Sequence, residues 1–540
     1  MISTISHIVR LAQAGFTLAR YDVSVPPAMS AAIPAPVRWL GQLARTLRPL
    51  DPQTTDIPST DNGQRLAQAL TALGPAYIKL GQFLATRPDI LGAKLAADLR
   101  VLQDKLPAFA TDQAMHEIEA ELGRPRGQVF GDFSPAVAAA SIAQVHEARL
   151  IAQGEDKGRR VAVKVLRPGV EQAFARDLAA FAFAARTIER WRPATRRLEP
   201  VKLVETLAAS VRLELDLRLE AAAASEIAER VQAGDGFVVP PIYWRYTTRR
   251  MLTIEWVDGV RLDDHAALDA AGFDRRALAV QLLSIFLKQS LRDGLFHADM
   301  HPGNLFVARA SPDDPTPVIV AVDYGIVGRL DERMQRFMAE TLYGFVTRDY
   351  RRIAMAHFEV GFVPETHGVD EFAQALRSIG EPLFGLAARE ISMARLLSQL
   401  FEVTRLFDMR LQPQLVLLQK TMVVVEGVAR SLDPDLDIWA TARPVVEAWM
   451  TRELGPEARI QEAAQAAYSL VRIAAKAPQV LAKMEQAADH LSGPAGQGLK
   501  LHPDSVRAIA EQETRLTRHG RIALWLAASA LAVIALAMLG

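Results

Sequence analysis

Between Leu295 and Phe306 the chain reads LFHADMHPGNLF, with an acid, Asp299, and an amide, Asn304, five positions apart around a Pro-Gly turn. Three kinds of chemistry compete for such a loop. In an extended segment His297, Asp299 and His301 would point to one side and could ligate a divalent metal. An aspartate base followed by a magnesium-holding asparagine is the pattern of a phosphate-transfer loop. The third reading is an ordinary polar turn. Downstream, LFVAR (305–309) and PVIVAVDYG (317–325) flank the turn-rich ASPDDPT. Paired as antiparallel strands, Leu305–Arg309 against Val318–Val322, they would set Asn304 beside Asp323. Two oxygen ligands with Asp299 one turn away suit magnesium carrying phosphates. The zinc reading is weaker, because Pro302-Gly303 curls the chain and no further His or Cys cluster offers a fourth ligand.

A phosphoryl transferase also needs a cation for the nucleotide phosphates. VAVKVL places Lys164 mid-strand, where such a lysine pairs with phosphates and is positioned by a helix glutamate; the alternative is an edge-strand lysine that discourages aggregation. The carboxylates on offer are Glu214, Asp216 and Glu220 in VRLELDLRLEAAAA, expected on one helix with Asp216 and Glu220 sharing a face. A solvated helix face is the plainer reading of these three. Ahead of the lysine, AVAAASIAQVHEA (136–148) is expected to be the loop over the phosphates. Ala138, Ala139, Ala140, Ser141, Ile142 and Ala143 stand there where many kinases have G-x-G-x-x-G. Alanine resists positive φ, so this cover should be stiffer. IEWVDG at Ile254–Gly259, with Glu255 and Val257, reads as a hinge. The order of parts, ending in Asp323-Tyr324-Gly325, is that of protein kinases, and the Asp-to-Asn interval matches H-R-D-L-x-x-x-N. Asp299 is then the catalytic-loop acid, Asn304 and Asp323 metal ligands, and ATP and Mg2+ the cofactors.

The elements that must position these residues are mostly amphipathic helices punctuated by Gly and Pro. Strand signals are confined to about 143–165, 237–240, 251–259 and the final pair. The fold class is α+β, a two-lobed kinase-like fold with a small sheet between helical blocks. With 540 residues, two or three units are expected. Lys plus Arg equals Asp plus Glu at 62 each, so no net field recruits nucleic acid, and the absence of cysteine excludes thiol catalysis and a disulfide framework. The N-terminus lacks the basic start and unbroken apolar run of a secretory signal and reads as an amphipathic helix. From Ile522 to Gly540 no residue is charged. As a helix that run spans about 28 Å against a hydrocarbon core of roughly 30 Å. Arg515, Arg518 and Arg521 precede it, which keeps the body on the cytoplasmic side.

With these residues in place, the chain resembles the UbiB family of atypical kinase-like proteins, linked with ubiquinone biosynthesis. Four stretches carry the likeness: YIKLGQFLATRPDILG, whose Lys79, Gly81 and Gln82 match the K-x-G-Q motif; AAASIAQVH; ELDLRLEA, whose Glu214 and Asp216 match E-x-D; and HADMHPGN with the Asp323 motif. The resemblance implies that Glu220 pairs with Lys164. It further implies that the K-x-G-Q helix packs over the cleft, so that Lys79, with Gln82 on the same helix face, would need Glu214 or Asp216 as counter-charge. Tyr324 replaces the usual Phe, and Ala298 stands where regulated kinases carry a phosphate-reading arginine. The implied organisation is an N-terminal segment and linker (1–60), the K-x-G-Q extension (61–125), an N-lobe (126–260), a C-lobe (261–450), a helical tail (451–521) and a transmembrane anchor (522–540). One span is evident where close bacterial relatives often carry two. The implied function is a Mg-ATP-dependent ATPase or kinase at the bacterial inner membrane. It would act on membrane lipids or quinone precursors, alongside other enzymes of that pathway. The alternatives are a non-catalytic ATP-responsive scaffold, or a small-molecule kinase of the aminoglycoside or choline type, whose loops also read H-x-D-x-H-P-x-N.

Overall fold

The computed structural model describes residues 2–21, 62–85, 106–151, 156–191, 199–311, 313–382 and 412–454, with isolated positions between them. The expected anchor at 522–540 lies outside the described residues. Among the described residues no helix is long and apolar enough to cross a membrane.

Helices α1 (Ile2–Arg20), α2 (Asn62–Leu73), α3 (Pro75–Ala85) and α4 (Thr111–Leu122) precede the first strands, β1 (Phe130–Gly131), β2 (Ala136–Ala139), β3 (Ala143–Leu150) and β4 (Arg160–Leu166). Next come α5 (Val170–Trp191), α6 (Pro200–Glu214) and α7 (Leu217–Arg230), followed by β5 (Phe237–Val238), β6 (Met251–Glu255) and β7 (Val260–Arg261). The first sheet is antiparallel in the order β1-β3-β4-β6, with β2 also on β3. Lys164 therefore sits in an interior strand, and the edge-strand reading falls. Strand alternation does the rest. Val161, Val163 and Val165 are buried with Ile118 of α4, Phe130, Leu150 and Met251. Lys164 faces the other way, on the side where Leu166 packs in one cluster with residues of α3, α5, α6 and α7.

The second half holds α8 (His265–Ala270), α9 (Arg275–Lys288), β8 (Leu295–His297), β9 (Leu305–Arg309), β10 (Pro317–Ala321), β11 (Val327–Arg329), α10 (Glu332–Thr347), α11 (Tyr350–Glu359), α12 (Val369–Gly380), α13 (Pro413–Leu432) and α14 (Ile438–Leu454). Aspartates start several of these helices: Asp264, Asp274, Asp331 and Asp349 each accept a backbone N–H from the first turn. Leu282, Leu283 and Phe286 of α9 form the core with Phe372 and Leu376 of α12 and Val425 and Ala429 of α13. The second sheet runs β5-β10-β9-β7. Its hairpin pairs Leu305 with Ala321, and the Val322 N–H donates to the Asn304 carbonyl at 3.1 Å. Asn304 thus stands opposite Val322, with Asp323 one residue further. The third pairing, β8 with β11, went unseen in the sequence because three-residue strands carry no usable period.

Between the sheets the chain crosses in a few residues: Glu255 still pairs with Val161, and Val260 already pairs with Val307. Gly259 permits the crossing, because a Cβ there would lie 2.9 Å from the Val307 carbonyl oxygen.

Helix α3 is held to α5 by Tyr77, edge-on to Phe181 with centroids 4.9 Å apart. Phe181→Ala should lower the unfolding free energy by about 3–5 kcal/mol and raise protease sensitivity across residues 62–85. Denaturant melts and limited proteolysis measure both, and an unchanged cleavage pattern would show that α3 is anchored elsewhere.

Candidate functional site

Lys164 Nζ donates to both oxygens of Glu220, at 2.7 and 2.9 Å, and reaches Asp323 Oδ2 at 3.4 Å. Three parts of the chain meet at this ammonium: the interior strand β4, helix α7 and the end of the β9–β10 hairpin. Burial opposes the charge on Lys164, but the Asp323 and Glu220 carboxylates outweigh it and hold the ammonium above its ordinary value. Burial pushes the Glu220 carboxyl up to about 7, against Lys164 and the Tyr324 backbone. Burial also works against ionised Asp323, yet Lys164 and the Gly325 N–H hold that carboxyl down at about 2. Two carboxylates share one lysine, so the cluster is one positive charge short once Glu220 is ionised, as it becomes above about pH 7.

The Asp299 loop faces this cluster from the second half of the chain. Asn304 Nδ2 donates to the Asp299 carbonyl at 3.2 Å and to Asp299 Oδ2 at 3.3 Å. With its nitrogen so committed, Asn304 keeps Oδ1 for a cation. His297 and His301 do not form the divalent-metal site weighed above. His297 is buried and its Nδ1 accepts the Asp299 N–H at 3.1 Å; burial holds its pKa below the usual value. His301 Nδ1 accepts the Gly303 N–H at 3.0 Å. Both imidazoles shape the loop. A π-turn at Gln289–Asp293 supports it from behind, with Gln289 Oε1 accepting the His297 N–H at 3.1 Å. Thr421 of α13 adds a further hold, its hydroxyl lying 3.1 Å from the Ala298 carbonyl and 2.9 Å from that of Leu417. Gln289 and Thr421 were missed in the sequence because nothing local marks a side chain that serves a loop in a distant segment.

The alanine stretch is less of a loop than expected. Ala136–Ala139 forms β2, pairing Ala138 with Val145 and Ala139 with Gln144, and only Ala140, Ser141 and Ile142 turn. The Ala140 N–H closes the turn on the Ala143 carbonyl at 2.8 Å, and no residue of 136–143 takes a positive φ. Arg167 clamps it, Nη2 donating to the carbonyls of Ala140 at 2.9 Å and Pro107 at 2.7 Å. Gln144 and His146 were also missed. Gln144 bonds the Phe109 backbone with both ends of its amide and meets His146 Nε2 at 2.9 Å, while His146 Nδ1 reaches the Ser134 carbonyl. The two lie buried on the same face of β3, and no local pattern announces either the burial or the contact with Phe109.

One expectation about the carboxylates is corrected. Glu214, Asp216 and Glu220 are not on one helix: α6 ends at Glu214 and α7 begins at Leu217. Asp216 is the N-cap between them, accepting the Arg218 N–H at 3.2 Å and gripping the Arg218 guanidinium at 2.9 and 2.7 Å, which holds its carboxyl below the usual range. The carboxylate that meets Lys79 is Glu214, with Lys79 Nζ 2.7 Å from its Oε2 and both side chains largely buried. Gly81 is buried in the same helix, and Gln82 is half-buried. Glu255 accepts from Arg159 at 3.0 Å where β6 ends, and Val257 lies half-buried in the crossing between the sheets.

A strand lysine gripped by a helix carboxylate, across a short crossing from an aspartate–asparagine loop, belongs to the protein-kinase-like class of folds. Known proteins narrow the class. Residues 101–357 match the ABC1 atypical kinase-like domain, and residues 376–437 the UbiB helical domain. A probable protein kinase UbiB of Marinobacter nauticus is 42% identical, over 75% of this chain and 73% of its own length. Its counterparts in Aeromonas salmonicida (41%; 78% and 76%) and Pseudomonas entomophila (40%; 83% and 82%) are similar over comparable spans. The chain belongs to the UbiB family of atypical kinase-like proteins. A solved Mycobacterium tuberculosis structure, a complex of Rv3197 with erythromycin, aligns with a TM-score of 0.48 at 24% identity, over 71% of this chain and 95% of that one.

Two expectations come from this geometry. The folded value of Glu220 lies above its ordinary 4.5, so its contribution to stability is full below that pH and is lost as pH rises through about 7. Asp323, held down, behaves oppositely and loses its contribution only as pH falls toward 2. Between about pH 5 and 8, then, the parent should lose stability while Glu220→Gln stays nearly flat. Urea unfolding at three pH values tests this, and equal slopes would move the titration to another group. Thr421→Val should cost about 1 kcal/mol and speed amide exchange across 298–304, and Thr421→Ser should restore both. Unchanged exchange in the valine variant would remove Thr421 from the support of the loop.

Proposed function

We propose that this chain is a membrane-anchored enzyme that binds Mg-ATP and hydrolyses it or transfers its phosphate in support of ubiquinone biosynthesis. The observation that carries the reading is the sharing of Lys164 between Glu220 and Asp323. An ammonium pinned by a helix glutamate is placed for nucleotide phosphates, and a cluster short of one positive charge attracts a cation. The donors fit magnesium. Asp323, whose side chain is 43% exposed, and the side-chain Oδ1 of Asn304 are hard oxygens, and among the described residues no group of three His, Cys, Asp or Glu forms a competing metal site. Bound magnesium would neutralise phosphate charge. Asp299, with a carboxylate 36% exposed, is the group that would take a proton from an acceptor hydroxyl or orient a water. The clamped alanine turn would cover the phosphates, and the backbone around Glu255 and Val257 would meet the base.

The Lys79–Glu214 pair supports a role for the K-x-G-Q helix in choosing the acceptor. In this reading α3 denies peptides access to the cleft, and small or lipid-soluble molecules, quinone precursors among them, are the acceptors. The charge-free run at 522–540 anchors the chain in the bacterial inner membrane, and the arginines before it keep the body in the cytoplasm.

The test is ligand-linked stability. At a free concentration about 100-fold above its Kd, Mg-ATP should add about 2.7 kcal/mol to the unfolding free energy of the parent. Lys164→Ala and Asp323→Asn should lose most of that gain, read as the thermal shift with and without nucleotide. Equal stabilisation of all three proteins would overturn the site assignment.

A further inference from the structure

Helix α1 contains no acidic residue. One of its faces packs on the body: Ala14 is buried, Arg10 pairs with Asp177 of α5, and the His7 ring lies 5.8 Å from that of Phe183; Ala19, in the last turn, is buried on the other side, so the open part of that side runs from Ile5 to Phe16. The sequence pattern calls for an amphipathic helix with a polar outer face. Instead Ile5 (61% exposed), Ile8 (53%), Val9 (49%) and Phe16 (42%) point outward. At 100° per residue Ile5, Val9 and Phe16 fall within a sector of about 40°, with Ile8 about 60° to one side. A helix that is apolar on both sides is normally covered on both.

The contacts also fix what lies next to it. Arg10 meets Asp177 and His7 meets Phe183, so α5 runs antiparallel to α1 and its C-terminal end lies where α1 begins. That end carries exposed Arg186 and Arg190, and Trp191 with 74% of its surface exposed.

We propose that the outer face of α1, continued by Trp191, Arg186 and Arg190, rests on the anionic surface of a lipid bilayer. Aliphatic side chains and a phenyl ring enter the acyl boundary, the indole sits at headgroup depth, and the guanidiniums meet lipid phosphates. Helix α1 itself brings no carboxylate to oppose the negative headgroups. The inference deepens the membrane reading above and is separable from it, since an anchor at 522–540 says nothing about the depth of α1.

Because the chain has no cysteine, single-cysteine substitutions give unique labels. The full-length protein carrying Val9→Cys, Phe16→Cys or, as control, Met355→Cys on α11 is labelled with a small fluorophore. It is then reconstituted into vesicles of phosphatidylethanolamine with phosphatidylglycerol, or of phosphatidylcholine alone. The expected result is that nitroxide lipids quench positions 9 and 16 several-fold more than position 355. Those two positions should also be shielded from aqueous iodide, with the stronger effect in the anionic vesicles. Iodide quenching at 9 and 16 in protein that floats with the vesicles would overturn the docking and leave the anchor standing. Failure to float without lipid quenching would overturn both. Quenching by neither agent would show that protein, another segment or a second copy, covers the face, and the proposal would fall.

Discussion

One buried ammonium facing two carboxylates is the constraint on which the rest depends. Lys164 comes from an interior strand, Glu220 from a helix packed on that strand's face, and Asp323 from beyond the hairpin of the other sheet. Lys164 and Glu220 are largely buried and costly to bury alone, while Asp323 joins them from a more open position at the edge of the cleft. The ion cluster thereby ties the two sheets together across the short crossing at Trp256–Gly259. With both carboxyls ionised the cluster carries one more negative charge than positive.

The break between α6 and α7 explains why the carboxylates are spaced as they are. In one continuous helix Glu214 and Glu220 would lie far apart around the axis, but on a single rigid rod. With Asp216 capping a new helix, each acid is placed independently, Glu214 toward Lys79 of the extension and Glu220 toward Lys164 of the sheet. Asp216 is thus the pivot of the motif, and its bidentate grip on Arg218 holds the capping turn. The Leu217 N–H, bonded to the Arg249 carbonyl at 2.9 Å, ties the same corner to the chain leading into β6.

How much of this was legible follows from how local each determinant is. Lys164 could be placed because alternation along β4 is a local pattern, and the β9–β10 hairpin because two apolar runs flank a turn-rich segment. The order of parts along the chain then carried the family. The break at Asp216 is hidden by helical spacing that continues across it, although an aspartate before a helix-forming run is itself a cap signal. The alanine stretch looks like loop by composition because alanine is a weak strand former, and pairing with β3 overrides that preference. The supports at Gln144, Gln289 and Thr421 were illegible for a different reason. Gln144 meets Phe109 and Thr421 meets Ala298, partners 35 and 123 residues away, and no period records such contacts.

Helix α5 joins the two surfaces of this half of the molecule. It seats α1 through Asp177 and Phe183, and it seats α3 through Phe181 against Tyr77. From α3 the contacts continue through Lys79 to Glu214, and one capped turn later α7 presents Glu220 to Lys164. This chain of packed side chains makes α1 and the Lys164 strand parts of one body. A lipid surface meeting the outer face of α1 would therefore orient that body, and the cleft with it, relative to the bilayer. For a soluble acceptor such orientation would be of no consequence. For an acceptor dissolved in the membrane it would hold the mouth of the cleft at a constant distance from the phase that holds the substrate. A rigid mount of that kind can be built only if the apolar outer face and the ion cluster share a scaffold, as they do through α5.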